Sequence, residues 1–200
     1  MIALIDYGAG NLTSVRKALS ALGADYRIPE SPAALAGASG LIVPGVGHFG
    51  ATAALQGEWR TAIAAAVDAG TPLLGICLGM QWLFDGSDEA PDVRGLGVLP
   101  GRVVRLLGNR PERIKVPHVG WNALDVSRQG RLLRGITSGV QVYFTHSYAA
   151  PVTDDCAART THASAFASVV ERGHVFGVQF HPEKSSDAGL HILRNFLDAC

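Results

Sequence analysis

The chain is 200 residues long, 48 % hydrophobic and 17 % charged, with 17 Lys and Arg balancing 17 Asp and Glu. A chain of this size buries roughly 70 % of its unfolded surface, so one domain over residues 1–200 is expected and intrinsic disorder is excluded. Zero net charge without a basic stripe speaks against a nucleic-acid partner, and no apolar run approaches the ~20 residues of a membrane span.

Ile2 to Ile5 reads as a short buried strand, and the opening lacks the basic start of a signal peptide and meets Asp6 at once. Leu12, Val15, Leu19 and Leu22 then recur at helical spacing, and Gly23 ends that helix. Tyr26 to Ile28 is a second strand, followed by a short Ala-rich helix from Ser31. Leu41 to Val43 is a third strand that stops at Pro44-Gly45. Trp59 to Ala69 is a helix closed by Gly70, Leu73 to Ile76 a fourth strand, and Leu78 to Phe84 a helix. Strands alternating with helices predict βαβ units and a mostly parallel sheet flanked by helices. From Gly101 the texture changes. Runs at Arg102–Leu106, Gln141–Thr145, Ser168–Glu171 and Val175–Phe180, separated by turn residues, predict an antiparallel extension of the same sheet. Gly189 to Cys200 is a closing helix. The basic stretch with Arg102, Arg105, Arg110 and Arg113 is a solvated face, or else a rim for an acidic or phosphate-bearing partner.

The three cysteines, Cys77, Cys156 and Cys200, have neither a disulfide framework nor metal-ligand spacing. A reduced, cytoplasmic setting is expected, with no metal and no organic cofactor. Cys77 stands apart. Gly75-Ile76-Cys77-Leu78-Gly79 lies where a strand passes into a helix, the place of a nucleophile elbow with sulfur replacing oxygen. The glycines let strand and helix approach closely, and the helix N-terminus favours the reactive thiolate. A lone cysteine between packing glycines would otherwise be core.

A thiol nucleophile needs a base, and the base benefits from an orienting carboxylate. His181 follows an apolar strand in Phe180-His181-Pro182-Glu183. Pro182 biases His181 towards extended geometry, where positions i and i+2 project together, so Glu183 is expected to hold the imidazole. His118 and His146 read as wall or surface residues, and Asp6 as a cap or turn residue. Acyl chemistry also needs donors for an oxyanion. The Leu78 N–H is one, and the glycine loop Pro44-Gly45-Val46-Gly47 at the end of the third strand suits a second.

In this order, a cysteine elbow, a glycine loop and a late His-x-Glu resemble the class I, or triad, glutamine amidotransferases over nearly the whole chain. Three further stretches, Asp6–Leu12, Pro117–Asn122 and Gln179–Ser185, are similar to the glutaminase subunits of imidazole glycerol phosphate synthases. Val119, Trp82 and Ala149 depart from that pattern without touching the chemistry.

The resemblance implies a flavodoxin-like α/β fold and hydrolysis of glutamine to glutamate and ammonia by Cys77, His181 and Glu183, with Val46, Gly47 and Leu78 at the oxyanion. It implies Gln81, Glu89, His146, Ser147 and Tyr148 as glutamine contacts, Asp85 and Asp88 being alternatives to Glu89. It also implies a heterodimer with a (β/α)₈-barrel cyclase subunit that receives ammonia through a channel. Asn11, His118, Trp121, Asn122, Tyr143 and Lys184 are the interface or channel-mouth residues. The free chain is expected to be nearly inactive because its Pro44–Gly47 loop withholds an N–H. The competing readings are the glutaminase of pyridoxal phosphate synthase, a stand-alone γ-glutamyl hydrolase, and a silent binding subunit.

Overall fold

A computed structural model describes residues 1–108 and 114–200. Arg110 and Arg113 of the basic stretch lie outside the described residues. In chain order the elements are β1 (Ile2–Leu4), α1 (Leu12–Ala21), β2 (Tyr26–Arg27), β3 (Gly40–Val43), α2 (Glu58–Asp68), β4 (Leu73–Ile76), α3 (Leu78–Trp82), β5 (Gly86–Ser87), β6 (Ala90–Arg94) and β7 (Arg102–Arg105). There follow β8 (His118–Ala123), β9 (Asp125–Val126), β10 (Gln141–His146), β11 (Tyr148–Ala149), β12 (Cys156–His162), β13 (Ser164–Arg172), β14 (Val175–Val178) and α4 (Ser186–Leu197).

The central sheet has eight strands in the order β2-β1-β3-β4-β14-β13-β12-β9. The first five run parallel, and β13, β12 and β9 are antiparallel. Strands β1, β3, β4 and β14 are buried at every position, as expected of parallel strands covered on both faces. Their side chains alternate between two cores. Ile2, Leu4, Ile42, Leu74 and Ile76 pack with Val15 and Leu19 of α1 and Ile192, Leu193 and Phe196 of α4. Ala3, Ile5, Leu41, Val43 and Leu73 pack on the other face with Ile63 and Val67 of α2 and Met80 and Trp82 of α3.

The second half departs from expectation. Only the two later runs join the central sheet: Ser168–Glu171 lies in the antiparallel β13, whereas Val175–Phe180, expected to be antiparallel, holds β14, which pairs parallel with β4. Arg102–Arg105 belongs to a separate four-stranded sheet, β11-β7-β5-β6, and Gln141–His146 to a two-stranded one, β10-β8. Strands β6, β8 and β12 lack the continuous apolar run that marks β1, β3, β4 and β14: their sequences are Ala-Pro-Asp-Val-Arg, His-Val-Gly-Trp-Asn-Ala and Cys-Ala-Ala-Arg-Thr-Thr-His. The helix expected from Ser31 is a 3₁₀ turn over Pro32–Leu35, and a further 3₁₀ helix spans Phe49–Leu55. Among the described residues no helix is long and apolar enough to cross a membrane.

Asp6, Pro44, Cys77 and His181 all follow the carboxyl ends of parallel strands. The topology therefore brings these four sequence-distant points to one edge, where open α/β sheets carry their sites.

Candidate active site

Cys77 leaves β4 with φ 53° and ψ −107°, a conformation that a non-glycine residue adopts only under constraint. Close packing supplies the constraint. A Cβ on Gly75 would lie 2.6 Å from the Gly79 carbonyl oxygen, and one on Gly79 would overlap the Val43 carbonyl. The Cys77 N–H donates to Val178 O at 2.7 Å, and its carbonyl accepts from Gln81 N–H at 3.1 Å. The corner is thus pinned from the strand and from the helix.

His181 is extended (φ −100°, ψ 97°), and Pro182–Lys184 then turns as a 3₁₀ helix. Glu183 therefore reaches His181 through that turn and not along a shared strand face. His181 Nδ1 meets Glu183 Oε1 at 2.8 Å, with both side chains 1 % exposed. His181 Nε2 is buried without a hydrogen bond of normal geometry, yet Cys77 is close enough to act on it. Burial opposes the charged imidazole. Cys77 and then Glu183 outweigh burial, and His181 is pushed up to about 10.

The glycine loop lies against the elbow, where a Cβ on Gly45 would sit 2.7 Å from Leu78 Cβ. Gly47 (φ 92°) and Leu78 line the cavity above Cys77. The Val46 N–H does not face that cavity. It donates to Ala9 O at 2.6 Å, in the loop where Asp6 Oδ1 accepts from the Gly8 N–H.

The cavity holds about 230 Å³ and is lined by Cys77 together with Gln81, Glu89, His146, Ser147 and Tyr148. Gln81 Nε2 donates to Tyr148 O at 2.9 Å and to Gln179 Oε1 at 3.1 Å. Glu89 Oε2 accepts from the Phe49 N–H at 2.7 Å. The alternatives to Glu89 are engaged elsewhere, Asp85 with the Gly101 N–H and Asp88 with Arg102.

The interface candidates divide by strand period. Val119 and Trp121 project from β8 at 58 % and 52 % exposure. Trp121 meets the Tyr143 ring edge-on at 6.1 Å, and Lys184 Nζ stands 5.8 Å over that ring. Asn11 precedes α1 and is half-buried. His118, expected at the rim, points the other way and is buried, because neighbouring residues of a strand face opposite sides. Its Nδ1 bonds His146 Nε2 at 3.0 Å, and its Nε2 lies 3.2 Å from Asn122 Nδ2. Burial and then His146 push His118 down to about 3, and burial is also the main cause that pushes His146 down to about 4.

Gln179 was not singled out by sequence reasoning. It is fully buried, and its Nε2 donates to Cys77 Sγ at 3.6 Å. The available signal was a carboxamide inside the apolar run Val175–Phe180, two residues before His181.

The profile of the family "Glutamine amidotransferase class-I" matches residues 3–200. The chain is 49 % identical over 199 residues to an imidazole glycerol phosphate synthase subunit HisH of Moorella thermoacetica, covering 98 % of this chain and 93 % of the relative. It is 50 % identical over 203 residues to the subunit of that name from Geobacillus kaustophilus, covering 98 % and 96 %. A crystal structure of a glutamine amidotransferase shares the fold at TM-score 0.76 and 23 % identity, over 99 % of this chain and 97 % of that one. The structure of PurLQS from Thermotoga maritima does so at TM-score 0.75 and 20 % identity, over 98 % and 97 %. The chain belongs to the class-I glutamine amidotransferase family, in the branch of the imidazole glycerol phosphate synthase HisH subunits.

Proposed function

We propose that residues 1–200 form one cytoplasmic amidotransferase domain that hydrolyses glutamine and passes the ammonia to a (β/α)₈-barrel cyclase subunit in a heterodimer, for imidazole glycerol phosphate formation in histidine biosynthesis. The observation that carries the reading is the constrained Cys77 at the floor of a polar cavity, beside a buried His181–Glu183 pair.

In this mechanism Cys77 Sγ attacks the carboxamide carbon of glutamine, and His181 Nε2 takes the thiol proton. The tetrahedral intermediate collapses, and Nε2 returns the proton to the departing ammonia. Water then attacks the glutamyl thioester, its proton passing to Nε2, and glutamate leaves with the thiol restored. Glu183 fixes the imidazole through Nδ1 and stabilises its cation. Leu78 and the Val46–Gly47 loop serve the oxyanion, and one such donor is worth about 2.7–4 kcal/mol of barrier. Gln81 and Glu89, with His146, Ser147 and Tyr148, hold the amino-acid end of glutamine. Val119, Trp121, Tyr143, Lys184 and Asn11 meet the cyclase.

The Val46 N–H engaged by Ala9 O supports a free chain with an incomplete oxyanion hole. The test is glutamate release by the chain alone and with the cyclase subunit and its nucleotide ligand, with Cys77→Ala as control. Strong activation that the substitution abolishes is expected. Turnover indifferent to the partner would sink the coupled reading and leave a free-standing amidase.

A further inference from the structure

We propose that Gln179 is a further catalytic residue, one whose carboxamide holds an N–H on the sulfur of Cys77 throughout the reaction. The proposal rests on Cys77 being the nucleophile. Its content is a direction: which end of a buried amide faces the reacting atom.

Amide ends are told apart by their partners, and here the partners leave one solution. The Tyr148 carbonyl can only accept. Gln81 Nε2 donates to it at 2.9 Å, and His146 Nδ1 donates to it at 2.9 Å. Gln81 is therefore oriented by a backbone atom that cannot change role. The same Nε2 lies 3.1 Å from Gln179 Oε1, so Gln179 presents oxygen to Gln81 and its NH₂ to Cys77 Sγ, 3.6 Å away. Turning Gln179 over would set two NH₂ groups against each other in a buried site, leaving an N–H of each without an acceptor.

The far side of the carbonyl is fixed by the same logic. With its proton on Nδ1, neutral His146 accepts at Nε2 from His118 Nδ1 at 3.0 Å. His118 in turn accepts at Nε2 from Asn122 Nδ2 at 3.2 Å. Two runs of donors thus converge on the Tyr148 carbonyl, one from β8 beside the exposed Trp121 through His118 and His146, the other from Gln81, whose second N–H turns away to Gln179 and so to the nucleophile. Gln179 is also anchored through its backbone, its N–H donating to Ser168 O at 3.0 Å. A sulfur that gives up its proton to His181 carries charge towards the amide N–H, and such a donor is stronger to a charged acceptor than to a neutral one.

The test uses the chain alone and needs neither glutamine nor partner: the rate of Cys77 carboxamidomethylation by iodoacetamide at fixed pH, in wild type, Gln179→Met and Gln179→Glu. Met keeps the length and removes the donor. Glu keeps the shape and turns an acceptor on the sulfur. The expected loss is about tenfold for Met, with a larger loss for Glu. In the partner complex kcat for glutamine falls by a similar factor, while KM stays within about threefold because Gln81 keeps its Tyr148 anchor. A uniform structural role would move KM with kcat. Equal alkylation of wild type and both folded variants would overturn the proposal. Failure of wild-type Cys77 to react at all would remove the nucleophile reading, and this one with it. Should the variants not fold, the wild type still decides. The Gln179 side-chain ¹⁵N–H pair is expected to be protected from exchange and to shift when Cys77 is alkylated. A pair that exchanges freely and stays put would refute the contact.

Discussion

Lowering the pH from 7 to 5 should destabilise this protein through two histidines that the fold holds neutral. His118 and His146 are 4 % and 7 % exposed, and each accepts a hydrogen bond at one ring nitrogen, so protonation both buries charge and breaks the chain. Burial pushes His118 down to about 3, with His146 and then His162 adding to the shift. Burial likewise pushes His146 down to about 4, opposed in part by its bond to Tyr148 O. Their unfolded counterparts titrate near 6.5. A depressed folded value means that the unfolded state binds more protons, so stability is present above about 6.5 and is lost as pH falls towards 4. Between pH 7 and 5 linkage gives roughly 2 kcal/mol per histidine, and solvent screening reduces the pair to about 2–3 kcal/mol in total. For a chain of this length that is a fall in Tm of about 5–10 °C. His181 has the opposite sign. Its stabilisation, from a value raised to about 10, is intact below 6.5 and lost on the alkaline side, so it does not mimic the effect. The assay is thermal unfolding from pH 5 to 7 for the wild type and a His118→Gln/His146→Gln double variant, which removes both titrations while other groups cancel in the comparison. If both proteins lose the same Tm on acidification, the reasoning is wrong.

Glu183→Gln keeps an acceptor for His181 Nδ1 but removes the charge that steadies the imidazolium, and kcat for glutamine should fall at least tenfold, about 1.4 kcal/mol, in steady-state assays of the complex; an unchanged kcat would contradict the triad. Gly79→Ala drives a methyl into the Val43 carbonyl, and urea unfolding should register a loss of at least about 1–3 kcal/mol, whereas a native-like midpoint would refute the close approach. Trp121→Ala should leave Tm unchanged, because the ring is half exposed, yet weaken cyclase binding by about 2 kcal/mol or more, near thirtyfold in Kd by calorimetry. Unaltered affinity would place the partner on another face.

Local chemistry was legible wherever a few consecutive residues fix it. Gly75-x-Cys77-x-Gly79 specifies an elbow because only glycine permits that approach of strand to helix, and the short apolar runs of β1, β3 and β4 announce a buried parallel sheet, whereas the parallel pairing of β14 with β4 appears only in the fold. Tertiary structure decided what depends on pairing between distant segments. Strands β6 and β8 take their partners from other strands and not from their own apolar content, so the separate small sheets were invisible in the chain. The face of a strand residue is set by register, which sends His118 inward and Trp121 outward from adjacent positions. Hydrogen-bond direction is set by whichever group lies opposite. The Val46 N–H is engaged by Ala9, and the Gln179 amide is aimed at Cys77 by Gln81 and the Tyr148 carbonyl. The corner at Cys77 was therefore written in the sequence, while the state of the groups around it belongs to contacts that exist only once the chain is folded.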